Sequence, residues 1–369
     1  MPEQIRILHI IKSLGRGGAE MLLPETLKFH DKSRFQFHYI YFLPWKDQMV
    51  EAIKENGGII SCLEASNNIK IILAWRTIVR YVRENNIQLI HCHLPWAGLV
   101  GRIVHGLTGV PLLYTEHNKQ ERYHFLTRWL NRLTFNLQTG VIAVSNDVAN
   151  SISKNISVNI PVIEIVNGID TEHFKREKES GLEVRRRLGI PEDAFVVGTI
   201  AVFRVQKRLK EWLNVFAEVS ASRSNVFGIL VGDGPLKAEL IREVGRLNLG
   251  ARIFLPGLQQ DVKPWLSAID VFMMSSEFEG LPLALLEAMS MECAVVTTDA
   301  GGIKEVIEDK KEGFVVGVDD WKSLGVKLTH LIEDEGQRIA MGKAARGKTV
   351  GMFNMSGMVK RLEKCYESI

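Results

Sequence analysis

The chain has 369 residues, 46% hydrophobic and 24% charged, the composition of an ordinary folded protein long enough for two α/β domains with separate cores; fibrous and disordered classes are excluded. The net charge is +3, but residues 1–176 hold 20 Lys and Arg against 15 Asp and Glu, so a first part of +5 precedes a remainder of −2. A basic first part suits an anionic surface, and no dense basic run suits nucleic acid. Cys62, Cys92, Cys293 and Cys365 are scattered with no C-x-x-C, so neither a zinc cluster nor a disulfide framework is encoded. The opening MPEQIRILHII is too short and lacks the cleavage pattern of a signal peptide, and no apolar run approaches about 18 residues, so a cytoplasmic protein is expected.

In chain order, residues 5–11 form a short apolar strand that runs into SLGRGGAE, where Gly15, Gly17 and Gly18 make a turn before a helix near Ala19. Such a turn lets a phosphate or sugar approach the backbone, although the G-x-G-x-x-G spacing is absent. Strand and helix then alternate: strand 37–43, helix 47–56, strand 59–63, a longer helix 71–85, and strand 87–91. This alternation predicts a parallel doubly wound sheet, whose ligands gather at the carboxyl ends of the strands. His91 and His93 fall at such an end. Two histidines at i, i+2 without a third ligand nearby do not make a metal site, which leaves His93 facing substrate or purely structural. Strand 112–115 leads to Glu116, His117 and Asn118, with His117 either at the ligand edge or in a capped loop. In residues 119–137, Arg122, Arg128 and Arg132 interleave with Tyr123, Phe125, Trp129, Leu130 and Phe135. This reads as a basic amphipathic helix, docked on an anionic membrane or buried as core. Strands 141–145 and 162–166 follow, then the turn Asn167-Gly168-Ile169-Asp170, with the interdomain connection placed around 174–178.

The second half opens with strand 195–201 and the basic loop VFRVQKRLKEW. Strands at 228–231 and 252–258 follow, the first ending in Gly232-Asp233-Gly234-Pro235. An apolar run ending at Met274 reads as a buried strand, 275–281 as a polar loop, and Pro282 as the first residue of a helix over 282–291. The N–H groups near Gly280 and Leu281 then lie at a positive dipole end suited to phosphate. Glu279 before the helix and Glu287 inside it flank that site. Carboxylates accept hydrogen bonds from vicinal diols, so one glutamate suits a ribose and the other a transferred sugar; otherwise Glu279 is a loop charge and Glu287 a solvated helix position.

The phrase E-G-L-P-L-A-L-L-E resembles the E-x7-E element of retaining glycosyltransferases of family 4 (glycosyl transferases group 1), and the resemblance runs along essentially the whole chain. It implies the GT-B fold, two Rossmann-like doubly wound parallel-sheet domains facing across a cleft. The domains are expected at 1–176 (acceptor) and 177–355 (nucleotide-sugar donor), with a crossover helix at 356–369 packing on the first. G-G-A-E at Gly17, Gly18, Ala19 and Glu20 resembles the element facing the donor diphosphate, and T-E-H at 115–117 the T-x-H element whose histidine approaches the donor sugar. The loop after the first strand of the second domain normally supplies an arginine and, five residues on, a lysine. Lys207 fits the lysine, Val202 stands where the arginine is expected, and Arg204 is the nearest substitute. Glu292 and Ala294 replace the usual glycine and proline of G-x-P, while Gly301, Gly302 and Glu305 match G-G-x-x-E.

The resemblance implies a retaining hexosyltransferase using a UDP- or GDP-sugar, in surface polysaccharide synthesis, on a glycan or lipid-linked acceptor. His117, Glu279, Arg204 and Lys207 are its expected catalytic residues. Gly17, Gly18, Arg204, Lys207, Gly280, Leu281, Pro282 and Glu287 are its expected donor-binding residues. No D-x-D occurs in the sequence, so no metal is expected to hold the diphosphate. Front-face attack assisted by the leaving phosphate needs no side-chain nucleophile. A GT-B nucleotide-sugar epimerase and a non-catalytic sugar-nucleotide-binding subunit are the alternatives, the second favoured only by Val202. Peripheral contact with the inner face of an anionic membrane is a further expectation.

Overall fold

The computed structural model describes residues 4–369; the first three residues of the stretch read above as no signal peptide lie outside the described residues. The chain divides into two compact units, Met1–Gly168 with Met355–Ile369, and Ile169–Asn354.

The first unit holds seven parallel strands: β1 (Ile5–Ile11), β2 (Phe35–Tyr41), β3 (Ile59–Cys62), β4 (Leu89–His93), β5 (Leu112–Glu116), β6 (Gly140–Ala143) and β7 (Val162–Glu164), in spatial order β3-β2-β1-β4-β5-β6-β7. Order reverses at β1, the topological switch point where doubly wound sheets open a crevice at the strand ends. Side chains alternate between the two faces. Leu8, Ile10, Ile90, Cys92, Leu112 and Tyr114 pack on one side with helices Trp75–Glu84, Pro95–Thr108 and Asn146–Asn155. Ile7, Ile11, Leu89, Leu113 and Ile142 pack on the other, where Leu362 and Tyr366 of the terminal helix Met355–Glu367 complete the core.

The second unit holds β8 (Phe195–Ile200), β9 (Val226–Val231), β10 (Ile253–Gly257), β11 (Val271–Met274), β12 (Ala294–Thr298) and β13 (Gly313–Val316), all parallel, in spatial order β10-β9-β8-β11-β12-β13. Its core places Trp212 and Phe216 of helix Leu209–Ser220 against Val197, Leu230 and Met273. The Trp212 indole N–H donates to the Met273 carbonyl at 3.0 Å, giving the buried ring its needed acceptor.

Three sequence expectations need correction. Residues 169–176, assigned above to the first domain, belong to the second unit. The Ile169 N–H donates to Phe353 O at 2.9 Å, and the Arg176 guanidinium donates to Met291 O and Ile269 O at 2.7 and 2.6 Å. The single helix expected over 71–85 is two, Asn68–Leu73 and Trp75–Glu84, meeting at Ala74, whose ψ of −4° breaks the helical path. Pro282 is the N-cap, in extended geometry, of a helix running Leu283–Ser290, so it precedes the first helical position.

Candidate active site

In the second unit, three loops meet at the carboxyl edge of the sheet, after β8, β11 and β12. Ser275 Oγ donates to the carbonyls of Lys207 and Arg208 at 3.0 and 2.8 Å, and the Glu277 N–H donates to Gln206 O at 2.8 Å. Thr298 Oγ1 donates to Ser276 O at 2.6 Å, and the Gly302 N–H to Gly280 O at 3.0 Å. Gly301 sits at φ +68°, and a Cβ there would fall 2.0 Å from Glu279 O, so only glycine lets the third loop approach the second this closely.

This stitching brings Lys207 and Glu279 together. Lys207 Nζ lies 2.6 Å from Glu279 Oε1, which also accepts from Ser276 Oγ at 2.7 Å; both side chains are mostly buried. A pocket lined by Thr199, Ala201, Lys207, Met274, Ser275 and Ser276 opens beside the ammonium. Gly280, Leu281 and Pro282 lead into helix Leu283–Ser290, whose first N–H groups have no intrahelical acceptor. Glu287 is only 6% exposed, which removes the reading of it as a solvated helix position. Arg204 is exposed in the same loop as Lys207, and its side chain pairs with no other described residue. Sequence reasoning missed Ser275 and Ser276, whose signal was two hydroxyls directly after an apolar strand.

In the first unit, the register pairs His9 of β1 with His91 of β4, and His93 of β4 with Thr115 of β5. His9 Nδ1 lies 2.9 Å from His93 Nε2, and His93 Nδ1 lies 3.3 Å from His117 Nε2. His91 holds the Tyr366 hydroxyl through Nδ1 at 2.9 Å and the Thr115 hydroxyl through Nε2 at 2.7 Å. Burial holds His9, His91 and His93 well below the usual imidazole pKa and pushes His117 down to about 4, so all four are neutral at pH 7. The third histidine judged missing from the sequence is thus present: His9, His91 and His93 bring one nitrogen each within 4.8 Å of the others. His9 Nδ1 faces His93 Nε2 and both His91 nitrogens meet hydroxyls, so the group reads as a hydrogen-bonded cluster in which His9 Nε2 has no partner among the described residues. A histidine among the apolar residues Ile7, Leu8, Ile10 and Ile11 of the first strand was the signal for it.

Gly17 and Gly18 open helix Gly18–Phe29. Gly17, at φ −98°, needs no glycine for its backbone, but a Cβ there would meet the Glu20 carboxylate at 2.3 Å, while Gly18 faces open space. Glu116, next to His117, is fully buried and accepts from the Tyr114 hydroxyl at 3.1 Å and from Tyr123 and Gln120; desolvation raises its pKa to about 7. That polar network extends under helix Phe125–Thr134. The Asn131 amide donates to Gln120 Oε1 at 3.0 Å, and Arg102 donates to Asn131 Oδ1 and Thr134 Oγ1 at 2.9 and 2.8 Å. The helix therefore seats its polar side inward. Phe125, Trp129 and Leu133 are 75%, 56% and 61% exposed, so these members of the stripe are not core, whereas Phe135 just past the helix is fully buried in it.

Residues 16–173 match the Glycosyltransferase Family 4 model and residues 182–348 the Glycosyl transferases group 1 model. The chain is 27% identical to UDP-Gal:alpha-D-GlcNAc-diphosphoundecaprenol alpha-1,3-galactosyltransferase of Escherichia coli, over 84% of this chain and 86% of that protein. It is 29% identical to N-acetyl-alpha-D-glucosaminyl L-malate synthase of Bacillus anthracis, over 62% of this chain and 59% of that protein. The crystal structure of Anabaena HepE in complex with UDP and glucose superposes with a TM-score of 0.89 at 21% identity, covering 99% of this chain and 100% of that one. With two parallel-sheet α/β units, a lysine–glutamate pair at one sheet edge and both family models matched in succession, this chain is a glycosyltransferase of family 4, group 1, with the GT-B fold.

Proposed function

We propose that this glycosyltransferase moves a hexosyl group from a UDP- or GDP-sugar to a saccharide carried on a lipid or growing surface glycan, with retention of configuration and without a divalent metal. The Lys207–Glu279 pair carries the reading. An ammonium held at a sheet edge beside a helix N-terminus is suited to a diphosphate, whose arrival gives Lys207 a second anion to share. Arg204, whose side chain pairs with no other described residue, adds a second positive charge. Glu279 orients hydroxyls of the transferred sugar, while Glu287 receives the ribose diol. Charge building on the departing diphosphate is met by Lys207, Arg204 and the N–H groups of Gly280, Leu281 and Leu283, fixed dipoles that need no reorganisation as the bond breaks. The same phosphate can take the acceptor proton on the front face of the sugar, so retention requires no protein nucleophile. The relative whose donor is UDP-Gal and whose acceptor is a diphosphoundecaprenol saccharide supports the donor and acceptor classes.

A lipid-borne acceptor also agrees with helix Phe125–Thr134, which offers Phe125, Trp129 and Leu133 outward beside Arg122, Arg128 and Arg132, a face fitted to an anionic bilayer. Incubation of the protein with radiolabelled UDP- and GDP-sugars and a bacterial membrane extract, with and without EDTA, tests the reading. Label should enter lipid-extractable material equally in both. Turnover lost in EDTA and restored by Mg²⁺ or Mn²⁺ would overturn the metal-free mechanism, and label confined to free sugar would overturn the acceptor class.

A further inference from the structure

Three imidazoles stand in file through the first unit, His9 to His93 at 2.9 Å and His93 to His117 at 3.3 Å. Each neutral ring carries a single N–H, so the file has one direction or the other. With the protons pointing toward His117, His9 donates from Nδ1 to His93 Nε2, and His93 donates from Nδ1 to His117 Nε2. The His117 proton is then on Nδ1. With the opposite sense, His117 donates from Nε2, and His9 must carry its own proton on Nε2.

That last atom decides between them. His9 Nε2 is buried and has no partner among the described residues, and neither has the buried Asn167 Oδ1, which lines the same cavity. The remaining walls are largely apolar, including Leu22, Leu23, Met358 and Leu362. With the protons pointing toward His117, His9 Nε2 and Asn167 Oδ1 are both bare acceptors in this cavity, the milder of the two unpaired states. The opposite sense would leave a buried N–H without a fixed acceptor, the rarer arrangement in folded proteins. His93 is also held against turning. Its ring stacks on His9 at 11° and lies 4.3 Å from His91, whose own nitrogens are fixed by Thr115 and Tyr366.

We propose that His93, with His9 behind it, is a positioning residue that fixes His117 as the Nδ1–H tautomer, so that His117 meets the substrate as a hydrogen-bond donor to a hydroxyl or phosphate oxygen. This rests on His117 being a substrate-contacting residue. It adds the direction of that contact and the two histidines that impose it.

Long-range ¹H–¹⁵N correlation spectra of the wild-type protein at neutral pH read the tautomer directly. A protonated Nδ1 and bare Nε2 on His117 are expected; the reverse overturns the proposal, and this measurement depends neither on a variant folding nor on turnover. In kinetics with whichever UDP- or GDP-sugar the wild type turns over, His93→Phe keeps a planar aromatic ring and removes both nitrogens. Its kcat should fall about tenfold, the effect of losing one neutral hydrogen bond in the transition state, with donor KM nearly unchanged. His93→Gln, whose amide restores an N–H, should recover much of that loss. Wild-type rates in a folded His93→Phe overturn the proposal, and a wild type without any transfer counts instead against the reading of the enzyme's substrates.

Discussion

Lys207 and Glu279 neutralise each other at 2.6 Å before any substrate arrives, so the buried ammonium is never an uncompensated charge. Glu287 contributes differently. Buried on the fifth residue of its helix, it is proposed to meet the donor ribose, and Glu287→Ala should weaken donor binding by roughly 1.5–3 kcal/mol, the range for a hydrogen bond to a charged group. Calorimetric titration with the donor nucleotide checks this, and unchanged affinity would remove Glu287 from the ribose site. Glu292, where the family has glycine, sits at φ +59° just past the same helix. Its N–H donates to Met289 O at 3.1 Å and the Cys293 N–H to Ala288 O at 3.0 Å, a Schellman ending whose left-handed residue is ordinarily glycine. The distant Arg346, 3.8 Å away, repays little of the strain. Glu292→Gly should therefore stabilise the fold by ~0.5–1 kcal/mol, read as a raised denaturation midpoint, because relief of the left-handed strain exceeds the added freedom of the unfolded chain.

At the scale of one element, helix Phe125–Thr134 shows why an amphipathic pattern does not itself say which side is buried. The fully buried Asn131 anchors it through Gln120 and Arg102, and the apolar stripe is left outside. Each basic residue near an anionic leaflet contributes on the order of 1 kcal/mol, so Arg122, Arg128 and Arg132 together suit reversible, salt-sensitive docking. Wild-type protein should float with vesicles containing phosphatidylglycerol at low salt. Arg122/Arg128/Arg132→Gln should float much less, and Phe125/Trp129→Ser should lose the binding that survives added salt. Absence of wild-type flotation would sink the membrane claim and leave the transferase assignment standing.

At the scale of the molecule, the two sheets differ in what they bury at their carboxyl edges. The second carries the ion pair; the first carries four imidazoles whose charged forms burial disfavours. For a histidine whose folded pKa is depressed, the stabilising contribution is complete above the unfolded value near 6.5 and is lost as pH falls through the folded one, about 4 for His117. Glu116 opposes this over part of the range, since its pKa, raised to about 7, makes its contribution largest at low pH and smaller as pH rises from the ordinary carboxylate value through 7. Four histidines outweigh one carboxyl. Acid unfolding should begin in the first unit below about pH 6, as amide exchange of β1, β4 and β5 accelerating before that of β8, β11 and β12. Simultaneous loss of both units would contradict it.

The succession of strands and helices was legible in the amino-acid order, because hydrophobic period and Gly, Pro and Asn punctuation act locally. The loop from Ser275 to Pro282 stood out as a candidate ligand site for the same reason: glycine, a helix start and two carboxylates lie within one short span. The break at Ala74 was not legible, since nothing in local propensity ends a helix there. Neither was the allocation of residues 169–176, which follows from where the Arg176 guanidinium finds its carbonyl acceptors. Only the tertiary structure joined Lys207 to Glu279 and His9 to His93, pairs 72 and 84 residues apart. Register between neighbouring parallel strands sets the histidine pairing, and loop-to-loop hydrogen bonds set the other; both are long-range choices that no local pattern encodes. The outward face of helix Phe125–Thr134 was decided in the same way, by a buried polar network that gave Asn131 its partners and left Trp129 without a cover.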